Sequence, residues 1–176
     1  MEKNWRMRAF GLFLFLVFIA ASWPAIGISC ETRASLFSIE RSKNRNFVQY
    51  DVCLDENGDL RNSNPVNVYW VLESGENEEL NAIEKRYGYG IKSQEKLEKN
   101  KFGVYLVAVK DRKITVEKIG DRFMAIVSID GKPCILERIF IRTEEKKIGM
   151  PKVLYVDLFG RTKYRSVPVK ERISLT

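Results

Sequence analysis

The 176-residue chain contains no histidine. That absence excludes Ser-His-Asp and Cys-His catalysis and histidine-ligated zinc. A dense cationic patch is also missing. Thirty Lys and Arg stand against 23 Asp and Glu, a net charge of +7. Setting aside Lys3, Arg6, Arg8 and Glu2 leaves 27 against 22, or +5, interspersed along the chain. Such a mixed, mildly basic surface does not suit nucleic acid, so no nucleic-acid partner is expected. There is no internal repeat and no low-complexity segment. No cofactor motif is present, and neither a cofactor nor a metal is expected. Cysteine is scarce, at Cys30, Cys53 and Cys134.

What is present begins with an address. "MEKNWRMR" is basic, "AFGLFLFLVFIAA" is apolar, and "SWPAIGIS" is small and turn-rich, with Pro24 just past the apolar run. This is the layout of a secretory signal peptide, and Ala25-Ile26-Gly27 offers a cleavage site after Gly27. Two alternatives stay open. Cys30 follows Ser29 and would be the lipidated residue of a bacterial lipoprotein, although Gly27 stands where that motif wants Leu, Ile or Val. Ala9 to Ser29 is uncharged and barely long enough for an anchor of ~20 residues. All three place the rest outside the cytoplasm, in a periplasmic or extracellular setting, because the cations precede the apolar run. Membrane attachment is expected only through this N-terminus. The chain thus divides into residues 1–29 as signal peptide or anchor, 30–34 as a short linker, and 35–176 as one domain. If Cys30 is lipidated, Cys53 and Cys134 remain as a disulfide pair for an oxidising compartment. The other reading leaves those two as small apolar strand residues that never meet.

From Ser35 the pattern is period two, bounded by turn residues. "LFSIER", "NFVQYDVCL" and "PVNVYWVLE" read as strands, the last with Val66, Val68, Trp70 and Leu72 on one face. "KFGVYLVAV", "KITVEKI", "RFMAIVSI", "KPCILERIFIR", "KVLYVDLF" and "KYRSVPVKERI" follow. Asn57-Gly58 and Asp130-Gly131 are favoured hairpin turns, whose type I′ form needs positive φ at both central residues. Asp55, Asn57 and Asp59 hint at calcium, but the remaining ligands of such a loop are missing, and a turn is the simpler reading. "FGVYLVAV" and "RFMAIVSI" are apolar on both faces, which places them centrally or under a helix. "SQEKLEKNK" reads as a charged connector, briefly helical.

The expected fold is mainly β: an antiparallel meander forming a small barrel or sandwich, with one short α-helix packed on a face or an end. "SGENEELNAIEKRYGYGI" supplies the helix. Ser74 or Asn77 would cap it, with Leu80, Ile83 and Tyr87 as the buried stripe. Gly88, following Lys85 and Arg86, would stop it with positive φ.

The same stretch carries the candidate site. Two glycines around Tyr89 expose backbone beside one fixed aromatic. In "IERSKNRN", Arg41, Lys43 and Arg45 alternate, forming either a charge-protected edge strand or a cationic rim for a carboxylate, phosphate or acidic glycan. Arg41, Lys43, Asn44, Tyr69, Arg86 and Tyr89 are the candidate ligand-binding residues, beside Trp70. Tyr89 is expected within ~15 Å of Arg41 if the two share a pocket.

"SIERSKNRNFVQYD", "NPVNVYWVLE" and "ELNAIEKRYGYGI", in this order and spacing, resemble the family of unknown function DUF4833, found in bacterial exported proteins. "SIDGKPCILERIFI" and "YVDLFGRTKYRSVPV" extend the resemblance from Ser35 to the C-terminus. The family often has Ala where this chain has Gly88, and the departure implies a backbone role at that position. The resemblance implies export and a domain, and no activity.

Three function classes follow. The first is an exported non-catalytic module binding a small or extended ligand such as a sugar, lipid or peptide. The second is a carboxylate-dependent hydrolase of an envelope substrate, with Glu40, Glu73, Glu84 and Glu137 as candidates. The third is an envelope-assembly partner presenting an open edge strand. Glu137 stands between Ile135 and Ile139, and Arg138 between Leu136 and Phe140, so strict alternation would turn one of them inward, as an internal ion pair.

Overall fold

Period-two alternation becomes strand almost everywhere it occurs. The computed structural model describes residues 30, 32–109, 111–144 and 151–174, and the N-terminal address lies outside them. The elements are β1 (Thr32–Arg41), β2 (Phe47–Leu54), β3 (Val66–Val71), β4 (Asn77–Glu79), α1 (Ala82–Tyr87), β5 (Ile91–Glu98), β6 (Lys101–Leu106), β7 (Lys113–Ile119), β8 (Arg122–Ile129), β9 (Lys132–Glu144), β10 (Lys152–Thr162) and β11 (Pro168–Ser174). The architecture is mostly β with one short helix: a curled mixed sheet forming a half-barrel. Its path runs β4-β3-β2-β1-β9-β8-β7-β6-β5, and β10 and β11 continue from β9.

The long β9 organises the curl. One edge pairs first with β8, through Lys132–Ile135, and then with β1, through Arg138–Ile141. The other edge pairs with β10 along most of its length. Two wings of sheet therefore diverge from a single strand edge and enclose the core between them. The β1–β9 pairing is parallel, unlike the all-antiparallel meander expected. Hairpins enforce antiparallel neighbours only between consecutive strands, and β1 and β9 are far apart in sequence. Val48, Tyr50 and Val52 of β2, Ile114 and Val116 of β7, and Leu136 and Ile139 of β9 are all buried on the inner face.

The Glu137–Arg138 conflict is resolved by a bulge. Phe159 stands opposite Arg138, while Gly160 stands opposite Leu136, so Glu137 is the extra residue. The bulge shifts the phase of alternation, and Leu136 and Ile139 both reach the core. Glu137 and Arg138 both stay outside. Glu137 accepts from Arg161 at 2.7 Å, and Arg138 donates to Glu40 at 2.8 Å. The internal ion pair is thus replaced by two external ones.

The expected helix is shorter than its pattern. Gly75 adopts φ +87, Leu72 N–H donates to Glu76 O at 2.9 Å, and the chain returns as β4. Asn81, rather than Ser74 or Asn77, caps α1: its side chain accepts from Ile83 and Glu84 N–H, and Glu84 reaches back to Asn81 N–H at 3.0 Å. Leu80 is buried but precedes the helix, and with so few turns Ile83 and Tyr87 remain 62 % and 57 % exposed. Gly88 has φ −124, so the positive φ expected there is absent. Gly90 is the constrained glycine. A Cβ there would lie 2.6 Å from Lys85 C and 2.9 Å from Lys85 Cα, and closer still to Lys85 O.

Two further segments depart from expectation. "SQEKLEKNK" lies largely in β5, a terminal strand whose side chains are nearly all exposed; with no core to face, it shows no hydrophobic alternation. The residues read as a linker, 30–34, enter β1 at Thr32, which pairs with Leu54. Of the two hairpin turns, Asp130-Gly131 has positive φ at both residues, whereas at Asn57-Gly58 only Gly58 does.

The cysteines pair differently. Cys30 and Cys53 form a disulfide with a Cα–Cα distance of 5.3 Å, and Cys134 is a buried free thiol. The Cys53–Cys134 pair is not formed because β1 lies between β2 and β9 in the sheet. Burial pushes the Cys134 thiol pKa up, which suits a structural residue.

Candidate functional site

The half-barrel stays open along the seam between β3 and β5. Its two ends are pinned. At one end Tyr89 packs edge-on against Trp70, with ring centroids 5.1 Å apart. There the buried Tyr50 hydroxyl donates to the Tyr89 carbonyl, and its burial raises the phenol pKa well above its ordinary value. At the other end Asn100 accepts from Leu60 N–H at 2.7 Å and donates to Asp59 at 2.6 Å. Lys99 meets Asp59 at 2.9 Å, and Lys96 donates to Asn62 at 2.7 Å. The beginning of β5 therefore lies by the end of β3, and the end of β5 lies by the loop that precedes β3.

Between these ends is a groove of about 540 Å³. Val66 and Val68 of β3 form one side, Ile91 and Gln94 of β5 the other, and the Cys30–Cys53 disulfide is part of the lining. Arg61, Lys85 and Lys92 also line it. A smaller hollow of about 270 Å³ lies between Ser35 of β1 and the β7–β8 turn at Asp121.

Of the residues singled out from the sequence, three gather at the Trp70 end. The Arg41 guanidinium lies 4.5 Å from the Trp70 ring centroid, and its Nε donates to Asn44 Oδ1 at 3.3 Å. Arg41 and Tyr89 are thus about 4.5 and 5.1 Å from the same ring, inside the expected separation, but neither lines the groove or the smaller hollow. Trp70 itself is only 4 % exposed and serves chiefly as core. Lys43 is exposed in the β1–β2 turn, and Arg86 lies on α1 over its neighbour Tyr87, 5.3 Å from the ring centroid. Tyr69 points to the opposite face from Trp70, as the pleat requires of neighbours. There it donates to the buried Asp51 at 2.7 Å, which also accepts from Gln49 at 2.9 Å. Burial first, and then the bond to Asp51, raise the Tyr69 pKa.

The four candidate carboxylates do not converge. Glu40 pairs with Arg138, Glu137 with Arg161, Glu73 meets Arg45 at 3.5 Å, and Glu84 is used in the α1 cap. Among the described residues no group of three His, Cys, Asp or Glu could hold a metal. Asp55, the first of the calcium-like residues, accepts from Asn57 and Asp59 N–H at 2.9 and 3.0 Å and so closes the turn itself.

A family model, Domain of unknown function (DUF4833), matches residues 37–172, from the middle of β1 to within β11. The chain belongs to DUF4833. No curated protein and no solved structure matches it. The family match in this DUF4833 chain covers both strands of the seam, and of the groove's lining only Cys30 lies outside it. Sequence reasoning missed the groove residues Arg61, Lys85, Lys92 and Gln94. The available signal was the long polar run of β5, polar on both faces as an edge strand without a core would be.

Proposed function

We propose that this DUF4833 chain is an exported, non-catalytic module that binds a small or extended ligand along the β3–β5 seam. The observation carrying the reading is the groove, pinned at both ends and flanked by a strand edge that stays open beside Val66–Val68. The groove's lining mixes apolar Val66, Val68 and Ile91 with polar Arg61, Lys85, Lys92 and Gln94, and a concave site with convergent polar groups suits ligands of this kind. The separate engagement of Glu40, Glu73, Glu84 and Glu137 weighs against the hydrolase alternative. Export is supported by the basic-then-apolar N-terminus and by a disulfide suited to an oxidising compartment.

The binding test is a backbone NMR titration of the full-length chain with three probes: a neutral oligosaccharide, a lysophospholipid and an acidic octapeptide. Shifts clustered at Val66, Val68, Ile91 and Gln94 with at least one probe, and no turnover of it, are expected. Scattered shifts with all three, or hydrolysis of a probe, would overturn the reading. For export, residues 1–34 fused to a reporter active only outside the cytoplasm should give activity, and a signal from a cytoplasmic reporter alone would refute it.

A further inference from the structure

We propose that the groove's occupant is an extended acidic segment of another protein, which adds a strand to β3 in the lane that β4 leaves empty. This rests on the reading of the seam as a ligand site and names its ligand class.

The backbone supplies the first argument. Cys53 N–H donates to Pro65 O at 2.8 Å, and in the same ladder Asp51 stands opposite Asn67. Hydrogen-bonded pairs alternate along antiparallel strands. Asn67 and Tyr69 therefore direct their N–H and C=O toward β2, while Val66, Val68 and Trp70 direct theirs away from it. Trp70 finds Glu78 of β4 opposite, in the same phase as the Leu72–Glu76 bond. The next β4-lane residue, Leu80, would stand opposite Val68. Instead its side chain enters the core at 2 % exposure and the chain turns into α1 through Asn81. No strand among the described residues pairs with Val66 or Val68 on this side. An extended peptide presents alternating N–H and C=O groups at the spacing this edge requires, which a sugar or a lipid does not.

Charge supplies the second argument. Arg61, Lys85 and Lys92 line the groove, and no carboxylate side chain does among the described residues. Lys85 meets its nearest acid, Glu79, only at 3.9 Å. A cationic wall beside an open edge favours acidic strands and repels basic ones. Pinning adds a third argument. The bonds at Tyr89 and at Asn100 hold the groove in shape, so a ligand need not bear the cost of ordering it.

The test uses the full-length chain, hydrogen exchange at the Val66 and Val68 amides, and a library of acidic octapeptides alternating Glu with Val or Thr. Matched basic peptides, N-methylated acidic peptides and an oligouronate serve as comparisons. Acidic peptides should slow exchange at both amides, and binding should weaken with salt and with Lys85→Glu or Lys92→Glu. N-methylation on one edge removes two backbone donors and should cost about tenfold or more in affinity. Val68→Pro, whose lost N–H faces the open side, should abolish binding without disturbing the β2 ladder. Equal binding of methylated and unmethylated peptides, or of acidic and basic ones, would overturn the proposal. Shifts at the seam with the oligouronate but with no peptide would overturn strand addition and leave the ligand site standing. Shifts at the seam with no probe would overturn both. Slow exchange at Val66 and Val68 in the unliganded chain, lost on deletion of residues 1–29, would assign the lane to the chain's own N-terminus and overturn the proposal.

Discussion

Replacing Gly90 by alanine should be among the most damaging single-methyl changes in the protein. The added Cβ would sit 2.6 Å from Lys85 C and 2.9 Å from Lys85 Cα, where carbon atoms in contact normally stand ~3.5–4.0 Å apart. All the opposing atoms are backbone, so no side-chain rotation relieves the clash. The end of α1 must separate from the Tyr89–Gly90 segment by roughly 1 Å to restore that spacing. This segment holds three connections: the Tyr89 ring against Trp70, the Tyr50 hydroxyl on the Tyr89 carbonyl, and Val107 N–H on Gly90 O at 3.0 Å. Overpacking costs ~1–3 kcal/mol, and weakening one buried hydrogen bond adds about 1 kcal/mol. The expected loss is therefore ~2–4 kcal/mol. Gly88→Ala is the control. Its Cβ would stand 3.3 Å from Glu84 O, and its φ of −124 is open to any residue, so it should cost less than ~1 kcal/mol. Urea unfolding of both variants, with an unchanged slope, measures the difference. Equal losses, or a Gly90→Ala loss under ~1 kcal/mol, would refute the account of how this helix stops.

Trp70→Ala should cost ~3–5 kcal/mol in the same assay, since the ring is buried between Arg41 and Tyr89, and a small loss would show that the ring is not core. The bond from Arg172, with help from Lys170, lowers the Asp157 pKa from 3.8 to about 2. A lowered folded-state pKa contributes stability that is complete above the unfolded value and is lost as pH falls through the folded one. The stability gap between the wild type and Asp157→Asn should then hold above about pH 4 and shrink toward pH 2. At neutral pH that substitution should cost ~1–2 kcal/mol, since the half-exposed Arg172 and Lys170 keep their hydration, and a pH-independent gap would count against the assignment. Opening the Cys30–Cys53 bond, which closes 23 residues of chain, should lower stability by about 3 kcal/mol on chain-entropy grounds. Intact-mass spectrometry of the chain should show that bond two hydrogens light, and a thioether-linked lipid at Cys30 would exclude it.

Much of the fold was legible because strand patterning is local. "NFVQYDVCL" and "KITVEKI" needed only their alternation and the turns beside them to become β2 and β7, and Asp130-Gly131 needed only its own φ preferences. Arg41 and Tyr89 could be linked because Arg41 ends β1, Tyr89 comes just before β5, and both side chains reach the Trp70 ring. The rest depended on partners distant in sequence. β5 is a strand because β6 pairs with it, although its side chains carry no hydrophobic period. Glu137 faces outward because β10 forces a bulge opposite Gly160, where the close approach of Ile135 leaves no room for a Cβ. Cys53 joins Cys30 because β1 brings Arg33 opposite it and stands between it and Cys134. The seam has no counterpart in any single segment. It exists because β4 ends after three residues and Leu80 turns into the core, leaving the edge of β3 open toward a strand that follows a helix. Alternation and turn chemistry act over a few residues and can be read from the chain. Register, bulge placement and the closure of a sheet are set by which strands meet, and only the tertiary structure decides that.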